Sequence, residues 1–161
     1  MAAAKKRKLL FGILFMAYLV LLVYFLFFSE KFGRTGSNET YQYNLVIFQE
    51  IGRFIRYREI IGTTGFLINI FGNVVAFMPF GFFLPALFGR GQKLFLVVSE
   101  SFLFSMCVEV IQLLTRRGSF DVDDLLLNTT GGLLGYLSFI TIRFFYRKVY
   151  GIVKKRTKRK G

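Results

Sequence analysis

The sequence predicts an all-α membrane protein: four transmembrane helices in an antiparallel bundle, with an external interfacial helix between the first and second. Three observations carry that prediction. The 161-residue chain is 54% hydrophobic with a mean hydropathy of +0.51, more apolar surface than a soluble domain of this size can hide. Four apolar stretches are each long enough to cross about 30 Å of hydrocarbon at about 1.5 Å per residue. Lys and Arg are segregated by loop, as the positive-inside rule requires.

The chain reads as one domain over residues 1–161. Its first span, Leu9–Phe28, is uncharged and follows Lys5-Lys6-Arg7-Lys8. That apolar run exceeds a usual signal-peptide core and no small-x-small site follows promptly, so an uncleaved anchor is expected. The second span, Phe66–Phe88, contains Pro79, Gly81 and Pro85, which are expected to kink or break it. The third, Leu94–Leu114, carries Glu100 and Glu109, and the fourth is Leu125–Tyr146. Gly89–Lys93 and Thr115–Phe120 are short connections, which makes the last three spans antiparallel neighbours.

Four spans put both termini on one side. That side collects 15 of the 22 basic residues, including the tail 147–161, and no acid; the other collects 7 basic residues and 7 acids. Both termini are therefore expected in the cytoplasm of a multi-pass protein of a bacterial cell membrane. The segment 29–65 is then external. It opens polar, with Gly33, Gly36, Ser37 and Asn38, and turns amphipathic over Tyr43–Ile61, where Leu45, Phe48, Ile51 and Ile55 alternate with Glu50, Arg53 and Arg56. That spacing predicts a helix lying on the outer leaflet.

Net charge is +13, but the basic runs flank apolar helices, so they read as anchors to anionic headgroups rather than as a nucleic-acid surface. The chain has no His, which removes the usual general base and the commonest metal ligand. The single Cys107 cannot form an internal disulfide and is expected to pack in the core. No cofactor and no metal site is expected.

Polar residues within or beside the spans are the candidate site, because ionisable groups in hydrocarbon cost several kcal/mol. Glu109, Gln112 and Arg116 follow i, i+3, i+7; Asp121, Asp124 and Asn128 repeat that spacing; Asn69 and Asn73 are i, i+4. Counted from a turn at Gly118–Ser119, the first two sets meet rung by rung, and all three reach the external end. A polar recess open to the outside is expected. The plainer alternatives are interhelical glue, a snorkelling Arg116 that neutralises an Asp, and an N-terminal helix cap at Asp121. Glu100 either bonds a neighbouring helix or extends a polar path across the membrane. Gly131, Gly132 and Gly135 form a close-packing face for another helix, or a face for a homo-oligomer.

At these residues the chain resembles the VanZ-like family of small bacterial membrane proteins. The matching pieces are Asn69-x3-Asn73 with the run Phe77 to Pro85, then Glu109-x2-Gln112-x3-Arg116, then Asp121-x2-Asp124-x3-Asn128-x2-Gly131-x3-Gly135-Tyr136. The match covers most of Tyr43–Tyr136. The family's Asn-Leu-x-Pro-Phe lead-in is Asn44-Leu45-Val46-Ile47-Phe48 here, without the Pro. The resemblance implies association with teicoplanin resistance and supplies no agreed catalytic residue.

Three functions follow as expectations. The first is a non-enzymatic membrane protein that binds an amphiphile, a lipid-linked or lipophilic ligand, at the outer leaflet and protects the cell envelope. The second is a small membrane enzyme acting on a lipid-linked wall substrate by carboxylate acid/base chemistry, with Glu109 and Asp124 as catalytic candidates; only there would oxygen ligands hold Mg2+ or Ca2+. The third is a transporter or assembly subunit, oligomeric through Gly131 and Gly135.

Overall fold

A computed structural model describes residues 2–28, 40–89 and 93–160, and the side chains of these except 2–4, 28, 61, 63, 66 and 150–160. The expected polar opening of the external segment (Gly33, Gly36, Ser37, Asn38), most of the Gly89–Lys93 turn and the side chains of the basic tail from residue 150 onward lie outside that set. In chain order the elements are α1 (Ala2–Phe28), β1 (Gln42–Asn44), α2 (Gln49–Arg56), α3 (Arg58–Phe88), α4 (Leu94–Thr115), β2 (Ser119–Asp121) and α5 (Val122–Lys160). The protein is an all-α membrane protein with four helices long and apolar enough to span: Lys5–Phe27, Leu67–Phe88, Leu94–Thr115 and Val122–Val149. α5 runs on beyond its apolar portion into the tail.

The central contact is α3 against α5. A Cβ placed on Gly81 would lie 1.9 Å from the Gly132 carbonyl oxygen, and one on Gly135 would lie 1.9 Å from that of Met78. One on Gly131 would lie 2.2 Å from the Val74 carbonyl oxygen. The two helices thus meet main chain to main chain. Lipid tails are as apolar as Leu, so burying apolar surface drives little association here, and close contact through small residues supplies the dispersion energy instead. Gly131 and Gly135 pack on α3 of the same chain, the close-packing face for another helix that their spacing suggests.

α4 packs on α5 and buries one stripe, Val97, Ser101, Ser105, Val108, Glu109 and Gln112, inside the bundle. Ser101 occupies the space beside Gly132. Cys107 falls off this stripe and is exposed, contrary to the core position expected for it. α1 leans on α3 and α4 through Leu22, Leu26, Phe77 and Val108. Rings fill the middle of the bundle: Phe80 stacks on Phe104 at 4.6 Å and 4° between planes, and Phe15 packs on Phe80 and Phe83 at 5.9 and 5.7 Å. Tyr18 of α1 satisfies its buried hydroxyl by donating to the Ala76 carbonyl oxygen at 2.8 Å.

Two expectations about helix shape are corrected. No residue around Pro79, Gly81 and Pro85 leaves helical φ/ψ, so the helix is not broken there; the interruption in α3 is at Gly62, at φ 79° and ψ 152°, a conformation that favours a residue without Cβ. The amphipathic segment is not one helix over Tyr43–Ile61. It is a three-residue strand, a turn through Phe48 in the left-handed region (φ 64°), and the eight-residue α2.

Candidate functional site

The polar residues collect at the pole where α1 and α4 end and α3 and α5 begin. α4 stops at Thr115, and Arg116 caps it in the left-handed conformation, φ 55°. The chain then straightens into β2, which pairs in parallel with β1: Gln42 opposite Ser119, Tyr43 opposite Phe120, Asn44 opposite Asp121. This short ladder stitches the segment between α1 and α3 to the α4–α5 connection.

Three Asp follow in four positions, each with a different task. Asp121 ends β2 and caps α5: its Oδ1 accepts the Asp123 amide at 2.8 Å and the Asn44 Nδ2 at 3.1 Å. Asn44 in turn accepts the Val46 amide at 3.0 Å, which sets the turn after β1. Asp123 points at the start of α2. Its Oδ1 accepts the Phe48 amide at 2.5 Å, and its Oδ2 accepts the amides of Glu50 and Ile51 at 2.9 and 3.0 Å. An eight-residue helix with no capping side chain of its own is thereby capped from a residue 75 positions away. Asp124 Oδ1 accepts Asn73 Nδ2 of α3 at 2.5 Å.

Beneath these lies a buried polar layer. Asp123 and Gln112 are 1% exposed, and Glu109 and Asn128 are 2% exposed. Glu109 Oε2 accepts the Asp121 amide at 3.0 Å. Gln112 Nε2 donates to the Leu26 carbonyl oxygen at 3.1 Å, one of the last carbonyls of α1, which has no donor within its own helix. Asn128 Nδ2 donates to Ser105 Oγ at 2.9 Å, while its Oδ1 has no hydrogen-bond partner among the described residues. Burying such groups is tolerable because most are matched, largely to main-chain atoms that would otherwise be orphaned.

The eight residues picked from the sequence therefore divide. Glu109, Gln112, Asp121, Asp124, Asn128 and Asn73 converge on this pole. Asn69 instead donates to Gly65 O of its own helix at 2.8 Å. Arg116 leaves the stripe because α4 ends before it, and its exposed guanidinium lies 4.8 Å from the Tyr41 ring centroid. The rung-by-rung pairing also shifts: Asn128 meets Ser105, not Glu109, and Glu109 meets the Asp121 main chain. Equal residue counts from a turn mean equal depth only if both arms are helical, and β2 is extended. Most of the layer's polar side chains are matched by bonds to one another or to main chain. Among the described residues no three carboxylates are grouped so as to hold a metal ion.

Asp123, Asn44 and Ser105 were not picked from the sequence. Asp123 had one signal: three acids in the first turn of a helix exceed what one cap needs. Above the layer lies an exposed apolar ledge, Leu45, Val46, Ile47 and Phe48, the last 65% exposed. Beside it stand Arg53, Arg56 and Arg58, with Arg53 paired to Glu50 at 2.5 Å. Burial raises the carboxyl groups of both Glu50 and Asp121 above the usual range; Arg53 opposes the shift at Glu50, and the Asp123 amide and Asn44 oppose it at Asp121.

The model of the VanZ/LLP1 family matches residues 15–145 of this chain. Protein VanZ of Enterococcus faecium is 29% identical over 148 residues, covering 89% of this chain and 74% of that protein. No solved structure matches.

Proposed function

The chain belongs to the VanZ/LLP1 family of multi-pass membrane proteins, and from that premise we propose that it is a non-enzymatic protein of the bacterial cell membrane that engages an amphiphile at the outer leaflet. Its service to the cell is protection of the envelope, including against glycopeptides of the teicoplanin kind. Both termini are cytoplasmic, which turns the polar pole outward, as the distribution of Lys and Arg favours.

One observation carries this reading: Leu45 to Phe48 stand exposed beside Arg53, Arg56 and Arg58, at the pole where the spans begin and end. A row of aliphatic and aromatic side chains next to guanidinium groups suits a molecule with an acyl tail and an anionic or polar head. Asp123, the β1–β2 ladder and the buried layer hold that ledge at a fixed height. In this reading Glu109, Gln112, Asp124 and Asn128 set the ligand surface in place rather than touch the ligand. Glu109 and Asp124 are engaged as acceptors of a main-chain amide and of Asn73, a support role rather than acid/base catalysis.

The test is expression of the protein in a teicoplanin-sensitive bacterium, with the doubly substituted Leu45→Ser, Phe48→Ser protein beside it. The expected result is that wild type lowers susceptibility and cell-surface binding of a fluorescent lipoglycopeptide, and that the variant loses both effects at equal membrane abundance. Equal protection by the two proteins overturns the ledge as the ligand surface.

A further inference from the structure

The opposite pole holds a cavity that the outward-facing reading does not use. It has a volume of about 290 Å³ and lies where α3 ends, α4 begins and the apolar part of α5 gives way to basic residues. Pro85, Tyr136, Phe139 and Ile140 form apolar and aromatic walls, and Lys93 and Arg143 stand at the rim. A second recess of about 260 Å³, lined by Met78, Phe82, Gly135 and Ser138 among others, lies deeper along the same helices. Met78, Phe82, Pro85 and Gly89 fall i, i+4, i+7 and i+11 on one stripe of α3, so the two recesses follow one seam, about 10 Å apart in depth. The Phe82 and Phe139 rings meet edge-on at 5.6 Å between them.

Three features make the rim a place for an anion. The sequence has no acid between Glu59 and Glu100 and none after Asp124, so Arg143 has no carboxylate near it in the chain, and the acid nearest Lys93 is Glu100, about two helical turns further along α4. α4 starts at this cavity, which Lys93 and Leu94 line, so the positive end of the helix dipole lies at the rim. A Tyr side chain, Tyr136, brings a hydroxyl to the same wall. The deeper recess, by contrast, presents only apolar wall and suits hydrocarbon.

We propose that this pole carries a binding site for a phosphate-bearing lipid, its phosphate held by Lys93, Arg143 and the start of α4, and its hydrocarbon chain lying in the recess beside Met78 and Phe82. The cations at the rim select the charge; the seam between α3 and α5 selects an amphiphile over a free anion. The site does not depend on the ledge at the far pole or on which way the chain is inserted.

The test uses the full chain in neutral detergent, titrated with phosphatidic acid, phosphatidylcholine and inorganic phosphate and followed by native mass spectrometry. Wild type is expected to retain one phosphatidic acid about tenfold more tightly than phosphatidylcholine. The doubly substituted Lys93→Gln, Arg143→Gln protein is expected to lose that preference, and Lys93→Arg alone to keep it, with unchanged melting in both. Ser138→Phe, which fills the deeper recess, is expected to weaken phosphatidic acid binding while leaving any inorganic phosphate binding in place. The proposal is overturned if the double variant keeps the preference, or if neutralising Lys154 and Lys155 abolishes it equally, which would mean diffuse attraction to basic ends. It is also overturned if inorganic phosphate displaces the lipid at equal concentration.

Discussion

At the polar pole, Glu109, Gln112 and Asp123 each bond a main-chain atom of another segment; at mid-bundle, α3 and α5 meet main chain to main chain through Gly81, Gly131 and Gly135. The difference teaches where each kind of interaction is useful in a membrane. Where helices are continuous their backbones satisfy themselves, and close approach is what remains to be gained. Where helices stop and a strand and a short helix must be housed, backbone amides and carbonyls are left over, and charged or amide side chains supply their partners.

That comparison is broken most severely by adding bulk to the seam. Gly135→Leu forces α3 and α5 apart, with an expected cost of about 3 kcal/mol or more and loss of folded protein in detergent, read by size-exclusion and thermal unfolding. Asp123→Ala removes the shared cap of three amides; it is expected to cost about 3 kcal/mol, confined to one region. Hydrogen exchange separates the two cases: the amides of Phe48, Glu50 and Ile51 lose protection in Asp123→Ala, while those of α3 and α5 keep theirs.

Phe77→Ala probes the packed middle at a smaller scale. Lipid removes most of the transfer part of the cost, so the cavity part remains, about 2 kcal/mol, spread over the whole melting transition. Gln112→Leu keeps the shape and leaves the Leu26 carbonyl oxygen unpaired; about 1 kcal/mol is expected, with faster exchange at the end of α1.

The smallest effect is that of pH. Burial raises the carboxyls of Asp121 and Glu50, so between the ordinary carboxylate range and their raised values the folded pole holds more protons than the unfolded chain. Stability contributed by these groups is therefore full at the acid side of that window and falls as pH rises through it. Exchange protection of the β1–β2 ladder is expected to be at least as high at the acid end, and Asp121→Asn to flatten the trend.

The four spans were legible because crossing hydrocarbon demands a fixed length of apolar residues, a constraint that acts on each segment by itself. The convergence of Glu109, Asp121, Asp124 and Asn128 was legible as helical spacing, but their partners were not. Asn128 turned to Ser105 and Glu109 to a main-chain amide because the connection between α4 and α5 contains extended residues that shift the arms against each other. Arg116 was misplaced because helix periodicity was carried one residue past the helix end. The β1–β2 ladder left no trace in the sequence, since three residues per strand are too few to show alternation.

Taken alone, the sequence determined how many helices cross, where each lies in the chain, the charge bias between their ends, and which helix faces carry polar groups, because all of these follow from local period and solvent. Only the tertiary structure decided that the glycine face serves α3 of the same chain and that Asp123 holds the start of α2. Those outcomes depend on which main-chain atoms are left without partners once distant segments meet, and no local pattern records that.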